Sequence, residues 1–319
     1  MNNLKEILDY VTKIKEDIAM LRIRGATKIA VTAMETIKKV VKEVSDNDLE
    51  PALRETIKLL YWSRPTEPAM QNGLNYIESA FNELVKKNAD TEEIRVRLSQ
   101  AADEYLELLK RAFMKIVEIG WRRIPDNGII MTHCHSTTVV QILRKAKENG
   151  RRVTVIASET RPLYQGRRTT QELAESGIKV FHIVDSAMRW AARKFKPDLA
   201  IIGADAIGSN GVVVNKIGSK LLALVAKEFD FPLYVTASLL KLDLKTVFGE
   251  YIPIEMRDPK EVWPNAPEGV EILNPAFETV APEFIDAIIT EAGVIPPSNV
   301  VIVFKELYPK IWRIVNKEL

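Results

Sequence analysis

The sequence predicts an α/β protein in two parts, an all-helical N-terminal domain over residues 1–124 and a Rossmann-like, doubly wound parallel-sheet domain over residues 125–319. Two observations carry this. Through the first 120 residues apolar side chains recur at helical spacing, with only three glycines, Gly25, Gly73 and Gly120. Past the turn Ile124-Pro125-Asp126-Asn127-Gly128 the period changes, and short runs rich in Val and Ile alternate with amphipathic stretches. The length supports two domains, because single cores stop growing at about 250 to 300 residues.

In the first part, Leu4, Leu8, Val11, Ile14, Ile18 and Leu21 step by four and three and mark one stripe of a helix. Ile29, Ala33, Ile37, Val40 and Val44 repeat the stripe after an interruption at Arg24-Gly25-Ala26. Further helices are expected over 51–62, 70–85 and 90–121, the last opened by Asp90 as N-cap with Glu93 three residues on. In the second part the runs 129–131, 153–157, 180–184, 199–202 and 233–236 are separated by helix-length segments. Such a repeat joins parallel neighbours, since a crossover helix is the usual link between them. The Pro-rich tail over 251–297 holds two more apolar pieces, 270–273 and 284–289, expected as strands or wrapping loops.

Composition excludes several classes. Lys and Arg number 45 against 43 Asp and Glu, a net charge of +2, so there is no electrostatic footprint for nucleic acid. No apolar run exceeds the six residues 221–226, where a membrane helix needs about 20. Lys5, Glu6, Asp9 and Lys13 stand where a signal peptide needs an apolar stretch, so a cytoplasmic location is expected. One cysteine forms neither an internal disulfide nor a Cys-rich zinc site. No G-x-G-x-x-G follows a strand, and the glycine-rich stretch 203–211 lacks the Lys-Ser/Thr of a phosphate-binding loop, so NAD and ATP chemistry recede. No metal is expected: His133 and His135 fall opposite Cys134 on an extended backbone, and only His182 remains.

Open parallel sheets bind ligands at the carboxyl ends of their strands. The residues there are polar: Thr132-His133-Cys134-His135-Ser136, then Ser158-Glu159-Thr160-Arg161-Pro162, Asp185-Ser186, Gly203-Ala204-Asp205, and Ser238 with Lys241. A helix starting near Ser136 would depress the Cys134 thiol below its usual value of about 8.5. Asp205, flanked by alanines after an apolar strand, would be raised from about 3.9 and keep its proton. Anion cradles are expected at Arg24-Gly25-Ala26, where a helix begins, at Arg64 before Pro65, and at Asn215 and Lys216, expected to open the helix after the Asn210-Gly211 turn. Taken singly, each has an ordinary explanation. Cys134 suits a small buried hydrophobe, Asp205 and Asp185 helix caps, Arg24 and Arg64 surface ion pairs, Arg161 a turn, the histidines hydrogen-bonded strand positions, and Arg167 and Arg168 solvated surface.

Together these segments resemble archaeal ribose-1,5-bisphosphate isomerase over nearly the whole chain. The likeness is carried by 132–136, Gly203-Ala204-Asp205, Asn215-Lys216-Ile217-Gly218 and Arg24-Gly25-Ala26. Arg64-Pro65-Thr66, Glu159-Thr160-Arg161-Pro162, Glu255-Met256-Arg257-Asp258-Pro259 and the end motif over 289–297 extend it. That family shares its fold with methylthioribose-1-phosphate isomerase and with regulatory subunits of translation initiation factor 2B. The former has Cys-Asn-x-Gly where this chain has Cys134-His135-Ser136-Thr137, and the latter usually lack the Cys. The resemblance implies conversion of ribose 1,5-bisphosphate to ribulose 1,5-bisphosphate through an enol phosphate, within AMP degradation feeding Rubisco. It implies Cys134 as base and Asp205 as acid, with substrate contacts at Arg24, Gly25, Ala26, Thr27, Arg64, Ser136, Arg161, Asn215, Lys216 and Lys241. Lys241 sits in a loop, 237–244, that matches only loosely. No cofactor, activation by AMP, and a homo-oligomer from dimer to hexamer are likewise implied. The rival expectations are a methylthioribose-1-phosphate isomerase and a non-catalytic initiation-factor subunit.

Overall fold

Helical spacing in the first part becomes five consecutive helices in the computed structural model, which describes residues 4–317 and their side chains to residue 314. They are α1 (Leu4–Ala19), α2 (Ala26–Glu43), α3 (Leu49–Tyr61), α4 (Pro68–Lys86) and α5 (Thr91–Gly120). Ile29, Ala33, Ile37 and Val40 of α2 are buried as expected, whereas of the first expected stripe only Val11 and Ile18 are buried, joined by Ile7 of α1, and Leu4, Leu8, Ile14 and Leu21 are half-buried. Gly25 breaks α1 from α2 with a φ of 92°, which side-chain-bearing residues rarely adopt. Asp90 does cap α5: its Oδ1 accepts the Glu93 N–H at 2.8 Å.

The second part follows as β1 (Gly128–Thr132), α6 (Thr137–Glu148), β2 (Val153–Ser158), α7 (Gln165–Glu175), β3 (Lys179–Ile183), α8 (Met188–Phe195) and β4 (Leu199–Gly203). Next come β5 (Ala206–Ile207), β6 (Val213–Lys216), α9 (Ser219–Glu228), β7 (Leu233–Thr236), β8 (Phe277–Val280), β9 (Ala287–Thr290) and β10 (Gly293–Ile295). Seven strands form one sheet in the order β10-β9-β7-β4-β1-β2-β3. All pairings are parallel except that of β10 with β9. Strand order grows outward from β1 to β3 and then, from β4, in the opposite direction, so the reversal falls between the paired strands β1 and β4. All five residues of β4 are buried, as a central strand covered on both faces requires. Ile130, Val155, Leu199 and Ile201 pack with Val139, Val140, Ile142 and Leu143 of α6 and Leu173 of α7.

Two expectations are corrected. Asn215 and Lys216 do not open a helix. They lie on β6, which joins β5 and β8 in a separate antiparallel sheet, and α9 starts later, after Gly218. The β-branched run Val212-Val213-Val214 favours this extended state, and β8 supplies the ladder. The tail holds both expected forms: residues 270–273 lie in a loop, and 284–289 lead from a tight turn over Pro282–Phe284 into β9. The chain divides into compact units of 1–111 with 304–319, and 112–303, where a division at 124/125 was expected. The reason lies in the closing helices α10 (Val300–Leu307) and α11 (Pro309–Lys317), since α11 packs on α4 and takes the end of the chain to the first unit.

Candidate active site

Adjoining strands β1 and β4, paired through Ile130 with Leu199 and Met131 with Ala200, end beside each other. Cys134 follows β1 by two residues, and Asp205 follows β4 by two. Both therefore stand at the reversal of strand order, the position where doubly wound sheets generally bind ligands. Ser136 begins α6, its Oγ accepting the Val139 N–H at 3.4 Å. Gly203 lets that helix start approach, because a Cβ there would lie 2.8 Å from Ser136 Oγ.

Cys134 departs from the expected electrostatics. Burial pushes its thiol up to about 12; the Lys216 ammonium and the His135 N–H oppose this, while Asp205 and Asp185 add to it. Desolvation therefore outweighs the helix start that was expected to lower it. The extended backbone expected through 133–135 is also broken, since Cys134 takes a φ of 66°. Asp205 is half-buried, and its N–H donates to Val214 O at 2.9 Å. Beside it, Lys241 Nζ donates to Ala204 O at 2.6 Å. Lys216, at the end of β6 and 8% exposed, holds its Nζ 4.7 Å from the Phe277 ring centroid. Asn215 Nδ2 donates to Ser219 Oγ at 2.9 Å.

The histidines serve the scaffold. His133 is buried, with Nε2 2.7 Å from Ile217 O and Nδ1 2.6 Å from Ser158 Oγ. Because a carbonyl only accepts, Nε2 carries the proton and Nδ1 accepts from the serine. Burial lowers the His133 pKa, which keeps the ring neutral. A Cβ at Gly218 would fall 2.6 Å from that ring, so glycine is required there. His135 Nδ1 lies 3.1 Å from Thr169 Oγ1. Among the described residues, no group of three or more His, Cys, Asp or Glu is placed to hold a metal ion.

Arg161 is exposed and donates to Tyr164 OH at 2.5 Å and to Val262 O at 2.8 Å. Asp185, expected as a helix cap, accepts the Thr160 and Arg161 N–H groups instead, at 2.8 and 2.7 Å. The start of α9 is occupied by Glu278, whose Oε1 accepts from Gly218 N–H and Lys220 N–H at 2.5 and 2.9 Å. Arg167 and Arg168 are exposed and pair with Glu159 and Glu172 at 3.5 and 2.6 Å. The remaining predicted contacts belong to the first unit. There, Arg24, Gly25 and Thr27 are exposed and Ala26 buried at the start of α2; Arg64 is 7% exposed, with NH1 3.1 Å from Glu67 Oε1. Sequence reasoning missed Thr160 and Thr169 as partners of Cys134. The first lies in the polar segment after β2, but the second is an unremarkable polar position of α7 brought close only by the sheet.

A thiol, a carboxylate and an ammonium so arranged can move protons at a small anionic substrate. The chain is similar over most of its length to known proteins. Ribose 1,5-bisphosphate isomerase of Pyrococcus furiosus is 40% identical over 308 residues, spanning 94% of this chain and 94% of that protein. Among solved structures, Pyrococcus horikoshii translation initiation factor eIF-2B matches with a TM-score of 0.78 and 30% identity, covering 90% of this chain and 97% of that one. The 5-methylthioribose 1-phosphate isomerase of the same organism matches with a TM-score of 0.78 and 28% identity, over 93% and 88%. The profile of the initiation factor 2 subunit family matches residues 22–297. On that span, and on the relatives it shares, the chain belongs to the initiation factor 2 subunit family.

Proposed function

We propose that this chain isomerises ribose 1,5-bisphosphate to ribulose 1,5-bisphosphate. The observation that carries the proposal is the pair Cys134 and Asp205 at the ends of adjoining central strands, with Lys216 within electrostatic reach of the thiol. Likeness to a ribose 1,5-bisphosphate isomerase over nearly the whole chain supports it. The order β3-β2-β1-β4-β7-β9 supports a Rossmann-like, doubly wound arrangement, whose ligand crevice lies at this reversal.

The chemistry follows from the substrate. Phosphate on the anomeric oxygen prevents a free aldehyde, so the ring opens as the C2 proton leaves, and the resulting enol phosphate is protonated at C1. A thiol titrating near 12 is not a thiolate at neutral pH. We assign its proton to Asp205 during the reaction: one internal transfer makes Cys134 the base and Asp205 the acid together. The thiolate takes the C2 proton as Asp205 protonates the ring oxygen. The thiol then delivers to C1 while the C2 hydroxyl proton passes to the carboxylate, and the thiolate and carboxylic acid are restored. Lys216 eases the charge separation, and Ser136, Asn215 and Lys241 offer polar contacts to the sugar.

A homo-oligomer is part of the proposal, supported by apolar side chains left outward over 248–273, including Tyr251 at 96% and Leu273 at 70% exposure. The test of function is a side-by-side turnover assay with ribose 1,5-bisphosphate and methylthioribose 1-phosphate. Preference for the bisphosphate is expected. Preference for the methylthio sugar, or no turnover of either together with co-purification of initiation factor 2, would replace the proposal with one of its rivals.

A further inference from the structure

Cys134 holds the left-handed backbone conformation that residues with a Cβ adopt reluctantly, at a φ of 66°. Its own backbone groups are satisfied by side chains. The Cys134 N–H donates to Thr160 Oγ1 at 2.9 Å, and the Cys134 carbonyl accepts from Thr169 Oγ1 at 2.8 Å. Thr160 is itself left-handed, at a φ of 62°, and fully buried. Its conformation is fixed from β3's side: the two carboxylate oxygens of Asp185 accept the N–H groups of Thr160 and Arg161 at 2.8 and 2.7 Å. Thus Thr160, following β2 and held by Asp185 after β3, and Thr169 of α7 bond the backbone of a single residue following β1.

We propose that Thr160, supported by Asp185, and Thr169 form a clamp that positions Cys134, holding its strained backbone at the reversal of strand order. The clamp rests on the isomerase function proposed above, in that it serves the same thiol. None of its three members is assigned a contact with substrate; they act through Cys134. Asp185 also faces His133 Nδ1 at 3.8 Å, and Thr169 Oγ1 and Thr160 Oγ1 lie 3.1 and 3.5 Å from His135 Nδ1 and His133 Nδ1, but each threonine hydroxyl meets Cys134 without adding charge. The threonines are therefore the cleaner probes.

The experiment uses the full chain with Thr160→Val, Thr160→Ser, Thr169→Val and Thr169→Ser. Valine keeps the threonine shape and removes the hydroxyl; serine keeps the hydroxyl. Displacing a reacting group by about 1 Å can cost ~10²-fold. Each valine variant should lose roughly 10- to 100-fold in kcat with KM within about twofold, and each serine variant should recover most of it. Wild-type kcat in both valine variants, or serine variants as slow as the valine ones, would overturn the clamp. If Thr160→Val does not fold, the Thr169 pair decides on the same terms. A second readout is independent of substrate: the rate at which iodoacetamide modifies Cys134, the chain's one cysteine, at fixed pH. Released from the clamp, the thiol should react several-fold faster than in wild type, and an unchanged rate in both valine variants counts against the clamp. Absence of turnover in the wild-type protein would remove the proposed function, while the alkylation rates would still decide whether Cys134 is clamped.

Discussion

In the proposed mechanism Cys134 and Asp205 divide the labour of a proton transfer, and each can be tested alone. Asp205→Asn preserves shape and hydrogen-bonding reach but cannot deliver a proton. Turnover should fall about 10²- to 10⁴-fold while the thermal melt stays near wild type. A helix-capping role would leave both intact, since Asn caps about as well as Asp. For Cys134 the sign is set by its thiol at about 12. Below that value the thiolate fraction rises about tenfold per pH unit, so alkylation should be slow at pH 7 and accelerate continuously through pH 10. Lys216→Met removes the cation that opposes burial, and should slow alkylation further at every pH. A plateau reached by pH 8 would contradict this. At this scale the placement of the two residues at strand ends was legible, because both follow apolar strand runs. The direction of the thiol's shift was not legible, since a helix start is visible in sequence and desolvation is a property of the packed site.

At the scale of elements, helix starts approach strand ends closely. Gly166 opens α7 against the end of β2, and a Cβ there would sit 1.7 Å from Ser158 O. Because that neighbour is backbone, α7 must shift. Gly166→Ala should cost at least about 3 kcal/mol, at the top of the range for overpacking, and denaturant unfolding would measure it. A loss below about 1 kcal/mol would mean that α7 is free to move. The helices of the first part and the strands β1, β2, β3, β4 and β7 could be read from periodicity to within a residue or two. The antiparallel sheet could not. Strand β6 has four residues, and its partner β8 begins some 60 residues later in a tail without alternation, so neither segment carries a signal strong enough alone. This is why Lys216 was expected at a helix start and is found at a strand end.

For the molecule as a whole, the buried neutral His133 couples stability to acid. Its pKa is lowered by burial, so the unfolded chain binds a proton that the folded chain refuses. The stabilisation is present above the unfolded value of about 6.5 and is lost as pH falls below it. Thermal melts between pH 7 and 5 should show Tm falling in wild type. His133→Gln, which cannot be protonated, should start from a lower Tm and fall less steeply; an equally steep fall would assign the acid sensitivity to the carboxylates. Division of the chain into its two compact units was legible in composition but not in boundary, because nothing local announces that α11 returns to α4.

The most direct test of the central claim is a phosphorus NMR time course of the purified protein with ribose 1,5-bisphosphate. The two substrate resonances should give way to the two of ribulose 1,5-bisphosphate, with no inorganic phosphate released, because the proposed chemistry moves protons and breaks no phosphate ester. An unchanged spectrum, or the growth of an inorganic phosphate signal, would contradict the account.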